Sequence, residues 1–145
     1  MRRIQRETTH EEIIKSLTTG DAAIFKEIWR VLLFAAALGV KVGNRRPLGT
    51  TDSGKAIQET YFSTPGWRGF LYLIGIAETG DSECLRSSEA NEEALVSAFE
   101  EYANNGLYIL SERMKLSTSP FDELVSLLME VSQPNISKPD VDFLI

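Results

Sequence analysis

Between Ile24 and Pro47 the chain reads IFKEIWRVLLFAAALGVKVGNRRP, an apolar stretch that meets a glycine and then runs into positive charge. Ile24, Ile28, Val31, Leu32, Ala35 and Leu38 recur at helical spacing, and Leu32 to Leu38 is apolar all round, the pattern of a helix covered on most sides. The stretch therefore predicts a central helix around which the rest of the chain is organised. Gly39, just past the last periodic residue, predicts a left-handed cap, because a residue without Cβ adopts that conformation most easily. Lys41, Arg45 and Arg46 follow within a few residues, near the negative end of the helix dipole. One end of the core helix is thus expected to present a basic loop.

Arg2, Arg3 and Arg6 open the chain as a short basic arm, and Thr9 with Glu12 has the T-x-x-E spacing of a capping box for a first helix carrying Ile13, Ile14 and Leu17. Gly20 would end it, and Asp21 would cap the central helix after a tight turn. From Lys41 to Ser63 the texture changes to Gly, Pro, Thr, Asp and Ser, which favours turns. Residues 56–62 fit either a short strand or a single helical turn, which leaves room for a small β-hairpin between helices two and three. Thr64-Pro65 places a cap and a first-turn proline before Trp67, Phe70, Leu71, Ile74 and Ala77, and Gly80 closes this third helix. Helices two and three are expected to be the inner pair.

The longest periodic segment runs from about Glu92 to Lys115, with Leu95, Phe99, Tyr102, Ala103, Leu107, Leu110 and Met114 in one phase. That is about 36 Å of helix at 1.5 Å per residue. Gly106 inside it predicts either a bend or the close approach of another backbone. Glu93, Glu100, Glu101 and Asn104 are expected to form its outer, acidic side. Ser119-Pro120 repeats the cap-then-proline start before a fifth helix with Leu124, Leu127, Leu128 and Val131, ending before Pro134. The expectation is a mainly α, compact helical domain of about five helices over residues 1–132, followed by a tail at 133–145 whose Val141, Phe143, Leu144 and Ile145 would pack back on the domain or, as the alternative, form a peptide-like motif for another protein.

The totals suit one domain of 145 residues, 43% hydrophobic and 25% charged. The net charge of −6 hides an asymmetry: residues 1–70 carry 11 basic and 7 acidic side chains, residues 71–145 carry 4 and 14. A basic half can meet phosphate, and an acidic half would attract a basic protein. Cys84 is the single cysteine, which excludes an internal disulfide and suits a reducing cytoplasm. No apolar run approaches the roughly 18 residues of a membrane helix, and no membrane partner is expected.

Catalytic signals are lacking. His10, in H-E-E, has no second histidine four residues on and is expected to face solvent in a first helical turn. Cys84 reads as a small packing residue in a polar turn, and one Cys with one His cannot assemble a structural zinc site. Glu78, Asp81 and Glu83 cluster after helix three, where capping and solvation explain them. No cofactor, metal or catalytic residue is expected. A helix-turn-helix with helix two as the reader fails because that helix is too apolar to face a groove.

Four segments carry a family resemblance: Arg2-Arg3-Ile4-Gln5-Arg6, Phe34-Ala35-Ala36-Ala37-Leu38-Gly39 with its basic loop, Ala77-Glu78-Thr79-Gly80-Asp81, and Phe99-Glu100-Glu101-Tyr102-Ala103-Asn104 with Gly106-Leu107. In these the chain resembles the small accessory proteins encoded with bacterial DNA phosphorothioation systems, the Dnd-system-associated family, up to the last helix but not into the tail. The resemblance implies a setting in which sulfur replaces a non-bridging phosphate oxygen of DNA and partner proteins restrict unmodified DNA. It brings no catalytic residues. The resulting expectation is a non-catalytic accessory or adaptor that binds proteins of the phosphorothioation or restriction system through Glu93, Glu100 and Glu101. Arg2, Arg3, Arg6, Lys41, Arg45 and Arg46 would face the DNA backbone. The alternative is a DNA-binding regulator of the same operon, and a third option is a carboxylate-metal nuclease.

Overall fold

Each helix begins and ends where the local chemistry allows, and five α-helices result: α1 (Glu11–Thr18), α2 (Ile28–Val42), α3 (Trp67–Thr79), α4 (Glu89–Met114) and α5 (Pro120–Ser132). The structure is a computed structural model and describes residues 1–21 and 23–133. Ser88 caps α4 by accepting from the Asn91 amide, and Ser119 caps α5 ahead of Pro120 by accepting from that of Asp122. Gly43 and Gly80 close α2 and α3 in the left-handed region, at φ 88° and 66°.

Several expected boundaries move, each for a visible reason. Asp21 does not cap α2, which starts at Ile28: the Leu17 carbonyl accepts both the Ile24 and Phe25 amides at 3.0 Å, holding that segment as a packed, non-helical connection. Phe25 instead rests on Phe34 of α2, with ring centroids 5.6 Å apart. The capping box at Thr9 does not form, because Thr9 donates its hydroxyl to the charged Glu7 carboxylate within a 3-10 turn, Thr8–His10. Gly66 rather than Thr64 precedes α3, the Thr64 carbonyl accepting the Trp67 amide in a preceding turn. Nor does a hairpin form between α2 and α3. Ile57 pairs with Ile4 of the N-terminal arm through two hydrogen bonds of 2.8 and 2.9 Å, and Glu7 bridges Thr51, so the arm takes up the edge that a hairpin would have used.

Gly39 is not the cap of α2 but lies inside it, and its role is packing. A Cβ on Gly39 would overlap the Tyr102 carbonyl of α4, and one on Gly106 would overlap the Ala35 carbonyl of α2. The two helices therefore run antiparallel with their backbones in contact, Ala35 against Gly106 and Gly39 against Tyr102. Of the two options for Gly106, close approach is the one realised within a continuous α4. The same contact makes α4, not the α2–α3 pair, the centre of the domain.

Against α4, α3 supplies an aromatic cluster. Trp67 stacks on Phe62 with centroids 4.1 Å apart and meets Phe99 edge-on at 4.9 Å. Such pairs contribute about 0.5–1.5 kcal/mol each beyond the area they bury. Phe99, Leu71, Leu107, Leu110 and Val96 are all fully buried around it.

The glycine contact gives a paired prediction. Gly106→Ala is expected to destabilise the domain by about 2 kcal/mol or more through overpacking, despite the better helix propensity of alanine. Gly69→Ala in α3, where a Cβ meets nothing within 4 Å, is expected to be neutral or to stabilise by up to about 1 kcal/mol. Urea unfolding of both variants checks this, and equal effects would refute the packing role.

Candidate functional site

The basic arm and the acidic helix do not face outward as two separate surfaces; they are bonded to each other. The arm lies along α4, and Arg2 reaches Glu100 through both terminal nitrogens, at 2.7 and 2.8 Å, and Glu93 through Nε at 2.7 Å. Glu100 also accepts the Gln5 amide at 2.6 Å and is only 6% exposed. A buried carboxylate needs several donors to replace its water, and here a forked guanidinium and a backbone amide provide them. Arg6, also buried, donates to Glu11 at 2.7 Å and to the Lys55 carbonyl at 2.7 Å.

On the other side of α4 the loop after α2 is held in the same way. Arg45 donates to Glu78 at 2.9 Å and to Glu101 at 3.2 Å, and Tyr102 donates its hydroxyl to Glu78. The Tyr102 bond, with Arg45 beside it, holds the Glu78 carboxyl below its ordinary value, and the bond to Glu78 raises that of the tyrosine. Arg46 lies over the Tyr108 ring, its guanidinium carbon 3.7 Å from the centroid.

Between these clusters sits a polar group that the sequence did not reveal. Asn104 donates its side-chain nitrogen to the Arg46 and Pro47 carbonyls, both at 3.1 Å, which leaves its oxygen to accept. His10 Nε2, 2.7 Å from that oxygen, must then carry the hydrogen. His10 is 1% exposed, so it is a buried structural residue and not the solvent-facing one expected; its Nδ1 has no hydrogen-bond partner among the described residues. Glu7 joins the group. Its carboxylate accepts from Thr9, from the Gly49 amide at 2.6 Å and from Asn104 at 3.4 Å, and these bonds, Thr9 foremost, lower its pKa.

Of the expected contact residues, the structure joins Arg2 to Glu93 and Glu100, and Arg45 to Glu101. Glu100 and Asn104 are therefore not on an outer acidic face. Arg3, Lys41 and Arg46 remain exposed and without an ion pair among the described residues. α4 carries one hint of this burial: Ala98, Ala103 and Gly106 interleave with its large apolar residues, as in a helix packed on several sides, which leaves few of its positions to solvent. A cavity of about 10 Å³ beside Gln5, Glu7, Glu100 and Asn104 has room for about one water, far less than a substrate needs. Among the described residues no three His, Cys, Asp or Glu side chains converge as a metal site, and no helix is long and apolar enough to cross a membrane.

Fold and geometry define a helical domain whose terminal arm and central loop are clamped to one long helix by charge. The pattern of the family described as DNA sulphur modification system-associated protein 4 matches residues 3–144, and the chain belongs to that family. The match extends past Pro134 into the tail, farther than the resemblance did; the tail's structure lies outside the described residues. No curated protein and no solved structure was found to match the chain.

Acid should release these clamps. Glu7, Glu78 and Glu93 all sit below the ordinary carboxylate value of 4.5, Glu93 chiefly through Arg2. A carboxylate whose folded-state pKa is depressed contributes stability that is complete above its unfolded value and lost as pH falls through the folded value. Urea midpoints are expected to hold level above about pH 5.5 and to drop steadily once pH passes below the ordinary value. Glu78→Gln should lower the plateau and flatten part of the drop; an acid profile identical to wild type would show that this cluster does not hold the fold.

Proposed function

We propose that this member of a DNA sulphur modification system-associated family is a non-catalytic accessory protein that acts in the cytoplasm by binding a partner protein of the modification or restriction machinery. One observation carries the reading: three of the six basic residues that could have met DNA, Arg2, Arg6 and Arg45, are neutralised by carboxylates of the same chain. A protein that depends on phosphate contacts needs its cations available, and here half of them serve the fold. The one histidine is buried on Asn104, and the one cysteine is partly buried, which adds support.

A DNA contact made by Arg3, Lys41 and Arg46 is compatible with this role as an auxiliary one. With three phosphates neutralised, the dependence of log affinity on log salt would have a slope of about −2.7. Fluorescence anisotropy with matched duplexes, with and without phosphorothioate, is expected to show weak binding with a slope no steeper than about −3. Co-expression with the proteins of the system should yield a complex stable to size exclusion at about 0.15 M salt, near the physiological ionic strength. A slope of about −5 or steeper, abolished by Lys41→Ala with Arg46→Ala, and no such complex, would replace the accessory reading with that of a DNA-binding regulator.

A further inference from the structure

The last described helix has two apolar faces, and the other described residues cover one. Leu124 and Leu127 of α5 are buried and Val131 is partly buried against the core. Phe121, Val125, Leu128 and Met129 point away from it, with Phe121 and Met129 60% and 61% exposed. Their spacing, i, i+4, i+7 and i+8, places all four on one stripe adjoining the core face. Leu116, in the connection before α5, is 95% exposed. Single apolar residues on a surface are ordinary, but a continuous stripe along a helix is the form taken by a protein-binding face.

Charge indicates what fits there. Every charged side chain on α5 is acidic: Asp122, Glu123 and Glu130. Arg113 of α4 binds Glu123 at 3.1 Å and Glu130 at 2.8 Å, on the side of the helix away from the stripe. Asp122, exposed and without an ion pair among the described residues, flanks the stripe itself. A second copy of this helix would bring acid against acid, and residues 134–145 of this chain carry Asp140 and Asp142 on either side of Val141 against one lysine, Lys138, a net negative charge of the same sign. We propose that the outer stripe of α5 is a docking face for an amphipathic helix of a partner protein whose apolar residues are flanked by lysine or arginine. The inference rests on the accessory reading above and names the surface through which it would act.

The probe is a labelled amphipathic peptide of leucines and lysines at helical spacing, compared with the same peptide bearing glutamate for lysine, against the full chain at physiological salt. The lysine peptide is expected to bind at least tenfold more tightly than the glutamate peptide. Val125→Ser with Leu128→Ser, both exposed positions, should weaken it at least tenfold, whereas Leu73→Ser on the exposed side of α3 should leave it unchanged; thermal melts verify that all variants fold. Equal binding to wild type and the α5 variant would overturn the proposal. So would concentration-dependent dimerisation abolished by the α5 changes, which assigns the face to a second copy, or peptide binding that appears only after Phe143→Ser with Leu144→Ser, which assigns it to the chain's own tail. The two levels separate in co-expression: a normal complex formed by the α5 variant removes the surface and keeps the accessory role, and no complex with the wild-type chain removes the role itself.

Discussion

Two carbonyl groups decide how this domain is put together: that of Ala35, which occupies the space a side chain at Gly106 would fill, and that of Tyr102, which does the same at Gly39. Because these contacts are between backbones, they fix both the separation and the register of α2 and α4, and a packed interior does not adjust to an added methyl group without strain. With α2 locked on one side, α4 offers its aromatic residues to α3 and its Glu100 and Asn104 to the arm and the loop after α2. The burial of Glu100, Asn104 and His10 follows from that choice of face.

Burying Glu100 and Asn104 would destabilise the domain unless their bonding were complete. Arg2 and the Gln5 amide serve the carboxylate, and His10 with the Arg46 and Pro47 carbonyls serves the amide. Part of the electrical asymmetry of the chain is thereby used in folding. Seen as a sequence, a basic half and an acidic half suggest two partners; folded, part of each meets the other, Arg2, Arg45 and Arg68 pairing with Glu78, Glu92, Glu93, Glu100 and Glu101. Of the basic residues in the arm and the loop after α2, Arg3, Lys41 and Arg46 remain for outside chemistry, beside the apolar stripe of α5 that no described residue covers.

Much of the architecture could be read from the residues, because it rests on local rules. Gly80 ends α3, Ser119-Pro120 starts α5, and the phase from Leu95 to Met114 marks α4 as one long helix. Some failures come from residues distant in sequence that overrode a local preference, and those at Asp21 and Thr64 from backbone hydrogen bonds of the neighbouring turn. Gly39 has the surroundings of a cap, but the carbonyl that explains it belongs to Tyr102; Thr9 has the spacing of a capping box, but its hydroxyl goes to Glu7, which the Gly49 amide holds in place. His10 looked like a surface residue because nothing nearby in the sequence foretells Asn104. For the site, residue types were legible and pairings were not, since charge composition does not say whether an arginine meets a phosphate or a glutamate of its own chain.

If opposite charges of this chain hold its fold rather than await partners, Arg2 and Glu100 must be coupled in stability. A double-mutant cycle with Arg2→Met and Glu100→Gln, read by urea unfolding, isolates the coupling between them. A coupling of about 1.5 kcal/mol or more is expected, as for a partly buried, charge-assisted pair. A coupling within about 0.3 kcal/mol of zero, with Arg2→Met as stable as wild type, would contradict it and return the arm to solvent, free for a phosphate backbone.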